Sequence, residues 1–286
     1  MKKLLLATLM GLTMNALACS EDGTGGFFPE NDWNIPETFQ GGLSEEQFNK
    51  VIDHYVAIYA PKIEELGGKL NVSRGWKNGT VNASAQRIGK IYQVNMFGGL
   101  ARHPEITEDG FALVLCHEIG HHIGGAPKVG GLRGVLMKWA SNEGQSDYFA
   151  SLKCLREGFK NDDNQTIVSE MNVPAMVKNS CDRVYANADE SAVCQRIAMA
   201  GASVSNLFAA MREEQPAKFE TPSKAVVKKT DHNHPHFQCR LDTYFQGALC
   251  DRPLDEALSQ KDAVTGTCHP ANGDKIGTRP LCWFKP

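Results

Sequence analysis

The chain has no block of basic residues: its 30 lysines and arginines are scattered among 33 acidic residues, for a formal net charge of -3. Electrostatic capture of nucleic acid needs a clustered basic footprint, so a nucleic-acid partner is not expected. Beyond the N-terminus, no run approaches the ~18 apolar residues of a membrane helix, which argues against a transmembrane helix in the mature chain. Internal repeats and low-complexity segments are also missing, so solenoids and repeat arrays are set aside. What is there is 286 residues, 42% of them hydrophobic, enough to bury a proper core in one large domain or two small ones.

Met1 to Ala18 reads as an export signal, with Lys2 and Lys3, an apolar stretch from Leu4 to Leu12, and then small residues. Ala16-Leu17-Ala18 has the A-x-A form of a cleavage site, and Cys19 follows directly. The same four residues resemble a bacterial lipobox, with Ala16 standing where leucine is usual. Two readings stand: a secreted protein whose Cys19 pairs or stays free, and a lipoprotein anchored through Cys19. Of nine cysteines, setting Cys19 aside leaves an even set, which suits an oxidising compartment and tips the balance toward the lipid anchor. The expected location is the periplasm, the outer membrane through lipidated Cys19, or the exterior.

Residues 19–42, rich in Gly, Pro and Asn, read as an extended leader or surface-hugging arm. Ser44 and Gln47 form a capping-box pattern ahead of a helix that runs to about Leu66 with a disturbance at Pro61. Leu70–Ser73, Thr80–Ala85 and Ile88–Met96 read as strands, with Asn78-Gly79 as the turn between the first two, and a small antiparallel sheet is their natural assembly. Helical patterns follow at Glu105–Gly124, Leu136–Glu157 and Ser191–Arg212, and again before Leu249.

Within Glu105–Gly124, His117-Glu118-Ile119-Gly120-His121 is an H-E-x-x-H motif behind an apolar run, Phe111 to Leu115. Positions four apart share a helix face, so His117 and His121 can send two imidazoles to one metal ion, with Glu118 beside them as general base. A catalytic zinc needs a third protein ligand and one open position. The longer pattern H-E-x-x-H-x-x-G-x-x-H fails, because its last position is Pro127. Glu143 lies 22 residues after His121, far enough for the chain to turn back and place a carboxylate opposite the histidines. Asp147 lies one helical turn later and suits the carboxylate that accepts the other N–H of a ligating histidine.

H-E-x-x-H with a downstream E-x-x-x-D resembles the gluzincins, and in finer detail the family of the CAAX prenyl proteases, HtpX and small soluble periplasmic relatives. Val81 to Ala85 is similar to that family's edge strand, and Ile106 to His121 to its zinc helix. His234-Pro235 through Arg240 matches its H-P-x-x-x-x-R motif. The likeness spans roughly Val72 to Leu249. Serine replaces the usual aromatic in the edge strand, and Gly144-Gln145-Ser146 is smaller and more polar than the family's text there.

The resemblance implies an α+β zincin fold, mainly helical, with a small antiparallel sheet whose edge strand lines the active-site groove. It implies one zinc ion on His117, His121 and Glu143, and Glu118 as base. It also implies His234 as a donor to the developing oxyanion, and Arg240 as its support or as a brace for the zinc glutamate. Backbone groups of Asn82, Ala83, Ser84 and Ala85 would pair with an extended protein or peptide substrate. The expected organisation is a signal peptide over 1–18, a leader over 19–42, a metallopeptidase domain over 43–250 and a cysteine-containing tail over 251–286.

His122 reads as a packing residue, and His54, His103, His232, His236 and His269 as structural or exposed. Cys181–Cys194, Cys239–Cys250 and Cys268–Cys282 would close short loops, with Cys116 and Cys154 left as a link between the two zinc-bearing helices. Eight cysteines allow 105 pairings, so spacing alone does not fix the connectivity. The expected function is an exported zinc endopeptidase. A non-catalytic or latent zinc-binding envelope module remains the competing reading.

Overall fold

Ser44 opens the first helix, α1 (Glu45–Glu65), through a reciprocal box: its hydroxyl accepts from Gln47 N–H while the Gln47 side chain accepts from Ser44 N–H. The computed structural model describes residues 26–29, 31–130 and 137–286. The expected export signal and Cys19 lie outside them, as does most of the Gly-rich connector before Met137. Pro61 does not break α1; it sits on the exposed face of a helix that continues to Glu65. Phe48, Ile52, Tyr55, Tyr59 and Ile63 turn the other face into the core.

Three strands follow, β1 (Lys69–Gly75), β2 (Ala83–Ile88) and β3 (Ile91–Phe97), in the order β1-β3-β2. The sheet is mixed, which corrects the expected antiparallel assembly: β1 pairs with β3 in parallel, and only β2 and β3 are antiparallel. The hairpin turn is Gly89-Lys90, with Ile88 opposite Ile91, and Gly89 at φ +58 supplies the left-handed conformation that tight hairpins require. Asn78-Gly79 is no hairpin. It lies in the connection that carries the chain from β1 to the far edge, where Asn78 O accepts from Gly99 N–H and Gly79 O from Ile35 N–H. A Cβ on Gly99 would stand 1.8 Å from Gly79 O, so this crossing tolerates no side chain there. A short helix, α2 (Gly98–Arg102), leads on from β3.

Helix α3 (Glu108–Ile123) starts at Thr107, whose hydroxyl accepts from Gly110 N–H. Every residue from Gly110 to His122 is buried, as expected of a helix covered on all sides. The sheet and α1 pack against it, and so do α4 (Glu143–Phe149) and the long α8 (Ala188–Arg212). α4 begins later than the Leu136 expected from sequence, because Asn142 caps it through Gln145 N–H. It runs through a π-helical turn, Ala150–Cys154, into α5 (Leu155–Phe159). Two shorter helices, α6 (Asn164–Ser169) and α7 (Ala175–Val184), precede α8, and α9 (Phe237–Ala248) follows it.

Four disulfides cross-link the body. Cys116–Cys154 ties α3 to the π-helical turn, and Cys181–Cys194 ties α7 to α8. The other two differ from the short loops expected: they are Cys239–Cys282 and Cys250–Cys268. Cys239 lies in the first turn of α9 and Cys250 just past its end, so they stand about 16 Å apart along the axis, beyond the reach of a disulfide. The tail instead folds back along α9 and α4. Trp283 is fully buried against Gly144, where a Cβ would meet its ring at 2.3 Å. Residues 27 and 28 also depart from expectation. Both phenylalanines of the supposed surface arm are fully buried in the main core.

Candidate metal centre

One turn separates His117 from His121 on α3, and each imidazole is fixed from behind by its Nδ1. His117 Nδ1 donates to Asp147 Oδ1 at 2.7 Å, and His121 Nδ1 to the Ser141 carbonyl at 2.8 Å. Both Nε2 atoms therefore present lone pairs to one region. One ligand atom each from His117, Glu118 and His121 lies within 4.8 Å of the others, and all three residues are fully buried. This group can hold a metal ion.

Glu143, the first residue of α4, completes the arrangement. Its Oε2 lies 3.3 Å from His117 Nε2 and its Oε1 lies 3.8 Å from His121 Nε2. His117 Nε2 and Glu143 Oε2 are buried polar atoms with no hydrogen-bond partner. A lone pair aimed at a buried carboxylate is repulsive unless a positive charge lies between them. A proton on His117 supplies such a charge when no cation does. Burial lowers the pKa of His117, but the Asp147 carboxylate, helped by Glu143, pushes it up to about 9. Burial would raise that of Glu143, yet the imidazoles of His234, His121 and His117 hold it well below the usual carboxylate range. Burial keeps His121 neutral, down at about 4, as a ligand must be. Two neutral-capable imidazoles, an ionised carboxylate and a neighbouring glutamate form a donor set that fits a divalent cation.

Asp147 collects donors behind the site. Its Oδ1 accepts from His117, from Arg240 at 2.7 Å and from the Tyr244 hydroxyl at 2.9 Å, while Oδ2 accepts from Arg240 Nε at 2.9 Å. Burial would raise its pKa, but Arg240 and His117 lower it. Arg240 is itself buried and pairs with Asp147, not with the metal-facing glutamate; its NH2 also lies 3.5 Å from His117 Nδ1.

His234 does stand at the site, with Nε2 3.3 Å from Glu143 Oε2 and 3.2 Å from the Gly26 carbonyl. Burial lowers its pKa against the pull of Glu143, so the ring is neutral with a proton to offer.

The edge-strand residues are more occupied than their sequence implies. The Asn82 side chain holds both backbone groups of Phe28, accepting from N–H at 3.0 Å and donating to the carbonyl at 3.1 Å. Ala83 O accepts from Phe27 N–H at 2.8 Å. Ser84 Oγ accepts from Asn95, and Ala85 packs with Val129, Met137 and Ala140. β2 is a sheet edge, as expected, but its first residues are paired with the protein's own chain.

The remaining histidines are structural. His122 is stacked between Tyr92 and Trp139, and His232 contacts Asn142. His236 caps α9 through Gln238 N–H, and His54 bonds the Gly158 carbonyl. Sequence reasoning missed Ser141, Tyr244 and Gly26–Phe28. Tyr244 had a signal, lying four residues after Arg240 on one helix face. The other two meet the site only through tertiary contacts.

No family model matches the chain, and neither the curated proteins nor the solved structures contain a match to it.

Proposed function

We propose that this chain is an exported zinc-dependent endopeptidase of the gluzincin kind, hydrolysing peptide bonds in extended protein segments. The observation that carries the reading is the convergence of His117 Nε2, His121 Nε2 and the Glu143 carboxylate on one buried point, with Glu118 beside it. Two imidazoles and one carboxylate are the ligand set of many catalytic zinc sites, which keep a fourth position open. The H-E-x-x-H text, the Glu143/Asp147 pair and the His234–Arg240 spacing support the same family.

Bound zinc would supply a Lewis acid for a water and for the scissile carbonyl. Glu118 takes a proton from that water as it attacks the carbonyl carbon, and passes it to the departing amine as the C–N bond breaks. Neutral His234, whose Nε2–H is directed at the Gly26 carbonyl beside the site, would share that hydrogen with the carbonyl oxygen as negative charge builds there. Asp147, held by Arg240 and Tyr244, keeps His117 in the tautomer whose Nε2 faces the metal. Four disulfides fit an oxidising compartment, and among the described residues no helix is long and apolar enough to cross a membrane.

The deciding experiment is elemental analysis of the mature protein combined with a peptide-library cleavage assay. Glu118→Gln should retain one zinc per chain and lose roughly 10²–10⁴-fold in turnover. Cleavage by the variant at the wild-type rate would sink the proposal. Stoichiometric zinc without cleavage by the wild type would favour a non-catalytic zinc module.

A further inference from the structure

The segment Gly26–Phe28 lies far from every metal-facing residue in sequence and touches three of the groups that build the site. Phe27 presents its ring edge-on to His117, with centroids 4.7 Å apart and planes at 89°. The Arg240 guanidinium lies 4.1 Å over the same ring, and its NH1 donates to the Phe27 carbonyl at 3.1 Å. The carbonyl of the preceding residue, Gly26, faces His234 Nε2 at 3.2 Å.

These contacts form a chain of constraint. Arg240 uses Nε and NH2 on Asp147 and NH1 on Phe27, so all three guanidinium nitrogens are committed and the fork cannot swing. Asp147, fixed by that fork, orients His117 through Nδ1. Phe27 closes the loop by blocking rotation of the His117 ring. In the same stroke Gly26 fixes the His234 ring through Nε2.

The segment is held as a built part and not as a loose cover. Phe27 and Phe28 are fully buried, and Asn82 and Ala83 take both backbone groups of Phe28 and the N–H of Phe27. The fit admits no side chain at its start: a Cβ on Gly26 would stand 2.1 Å from the Ala83 carbonyl oxygen and 2.4 Å from Asn82 Oδ1. A detachable inhibitor would have to withdraw two phenylalanines from the core each time the site opened.

We propose that Gly26 and Phe27 are positioning residues of the metal centre, Phe27 acting on His117 directly and through Arg240 and Asp147, and Gly26 acting on His234. The metal part stands by itself; the part concerning turnover rests on the endopeptidase reading. One consequence is that a substrate strand cannot use the Ala83 carbonyl, which already accepts from Phe27 N–H.

The test compares Phe27→Leu with Phe48→Leu, the same substitution at another fully buried phenylalanine, on α1 and away from the metal. Both variants lose similar packing, so a merely structural role for Phe27 predicts equal effects. The proposal expects Phe27→Leu to release zinc roughly 10–100-fold faster to a chelator. It also expects a changed visible absorption band for the cobalt-substituted protein, with neither effect in Phe48→Leu. Gly26→Ala should lower kcat for a peptide at least tenfold while KM stays within about twofold. Equal zinc release and equal cobalt spectra for the two leucine variants would overturn the proposal. If Phe27→Leu does not fold, hydrogen exchange of the wild type decides: stripping the metal should speed exchange of the Phe27 and Phe28 amides at least tenfold, and unchanged exchange overturns the proposal. A wild type that binds zinc but cleaves nothing would refute the endopeptidase reading and leave the zinc and cobalt measurements to judge Phe27.

Discussion

Asp147 is the residue on which most of the site's outer contacts converge. One carboxylate satisfies an imidazole, a guanidinium and a phenol, all buried, and so converts the position of α9 into the orientation of His117. Asp147→Asn keeps the shape but replaces an acceptor oxygen with an amide that repels the Arg240 fork. Zinc affinity should fall about 10–100-fold in chelator competition, and unchanged affinity would remove Asp147 from this role. His103 offers a pH signature away from the metal. It is 3% exposed, its Nδ1 accepts from Glu105 N–H, and burial pushes its pKa from 6.5 down to about 4. A depressed histidine is penalised when it must charge. Between pH 6.5 and 4 the unfolded chain binds more protons than the folded one, so stability falls as pH drops through that window, by up to about 3 kcal/mol. Above pH 7 the group contributes no slope. Buried neutral His122 adds to the same acid limb. His103→Gln should flatten the fall of denaturation midpoint with pH by the share of one proton, and an unaltered slope would show that His103 is not a source of it.

At the scale of elements, the centre is a junction of α3 and α4 with a cross-link beside it. Cys116 precedes His117 and is bonded to Cys154 in the turn after α4, so the disulfide clamps the helix carrying two metal-facing imidazoles to the one carrying Glu143. Replacing both with alanine should lower the unfolding free energy by about 2–4 kcal/mol in urea titration and weaken metal binding with it. An unchanged midpoint would mean that packing alone fixes the two helices. The start of α1 was legible because capping is local: Ser44 and Gln47 act on each other within one turn. Strand partners were not, because pairing is decided across the sheet. Leu70–Ser73 and Thr80–Ala85 flank an Asn-Gly turn signal, yet that turn serves the contacts of Gly99 and Ile35 and sends β2 to the opposite edge. The bridge Cys239–Cys250 could have been rejected from the helix expected between them, since a helix of that length holds its ends too far apart.

For the whole molecule, the cysteine-containing tail braces the candidate metal centre from outside. Trp283 fills the space over Gly144, next to Glu143, and donates from Nε1 to Thr243 Oγ1 at 3.0 Å. Arg279 reaches Gln145 Oε1 at 2.7 Å and the Ala126 carbonyl, joining the end of α3 to the start of α4. Trp283→Ala opens a cavity against the first turn of α4 and should cost about 3–5 kcal/mol. Calorimetry would read that as a lower Tm, and metal affinity should drop in parallel. A lower Tm with unchanged affinity would make the tail a staple without influence on the site.

By itself the sequence determined the chemistry that depends on short-range spacing. Histidines four apart on an apolar helix share a face by helical geometry alone, Pro127 cannot be a ligand, and Asp147 follows Glu143 by one turn. Cysteine parity and the apolar pattern likewise pointed to a cross-linked body with a proper core. Only the tertiary structure decided that β1 runs parallel to β3, that Cys239 pairs with Cys282, that Arg240 braces Asp147, and that Phe27 is wedged against His117. Each of these joins residues 22 to 93 positions apart. No periodicity along the chain records them, because burial and packing choose such partners only after the elements have formed.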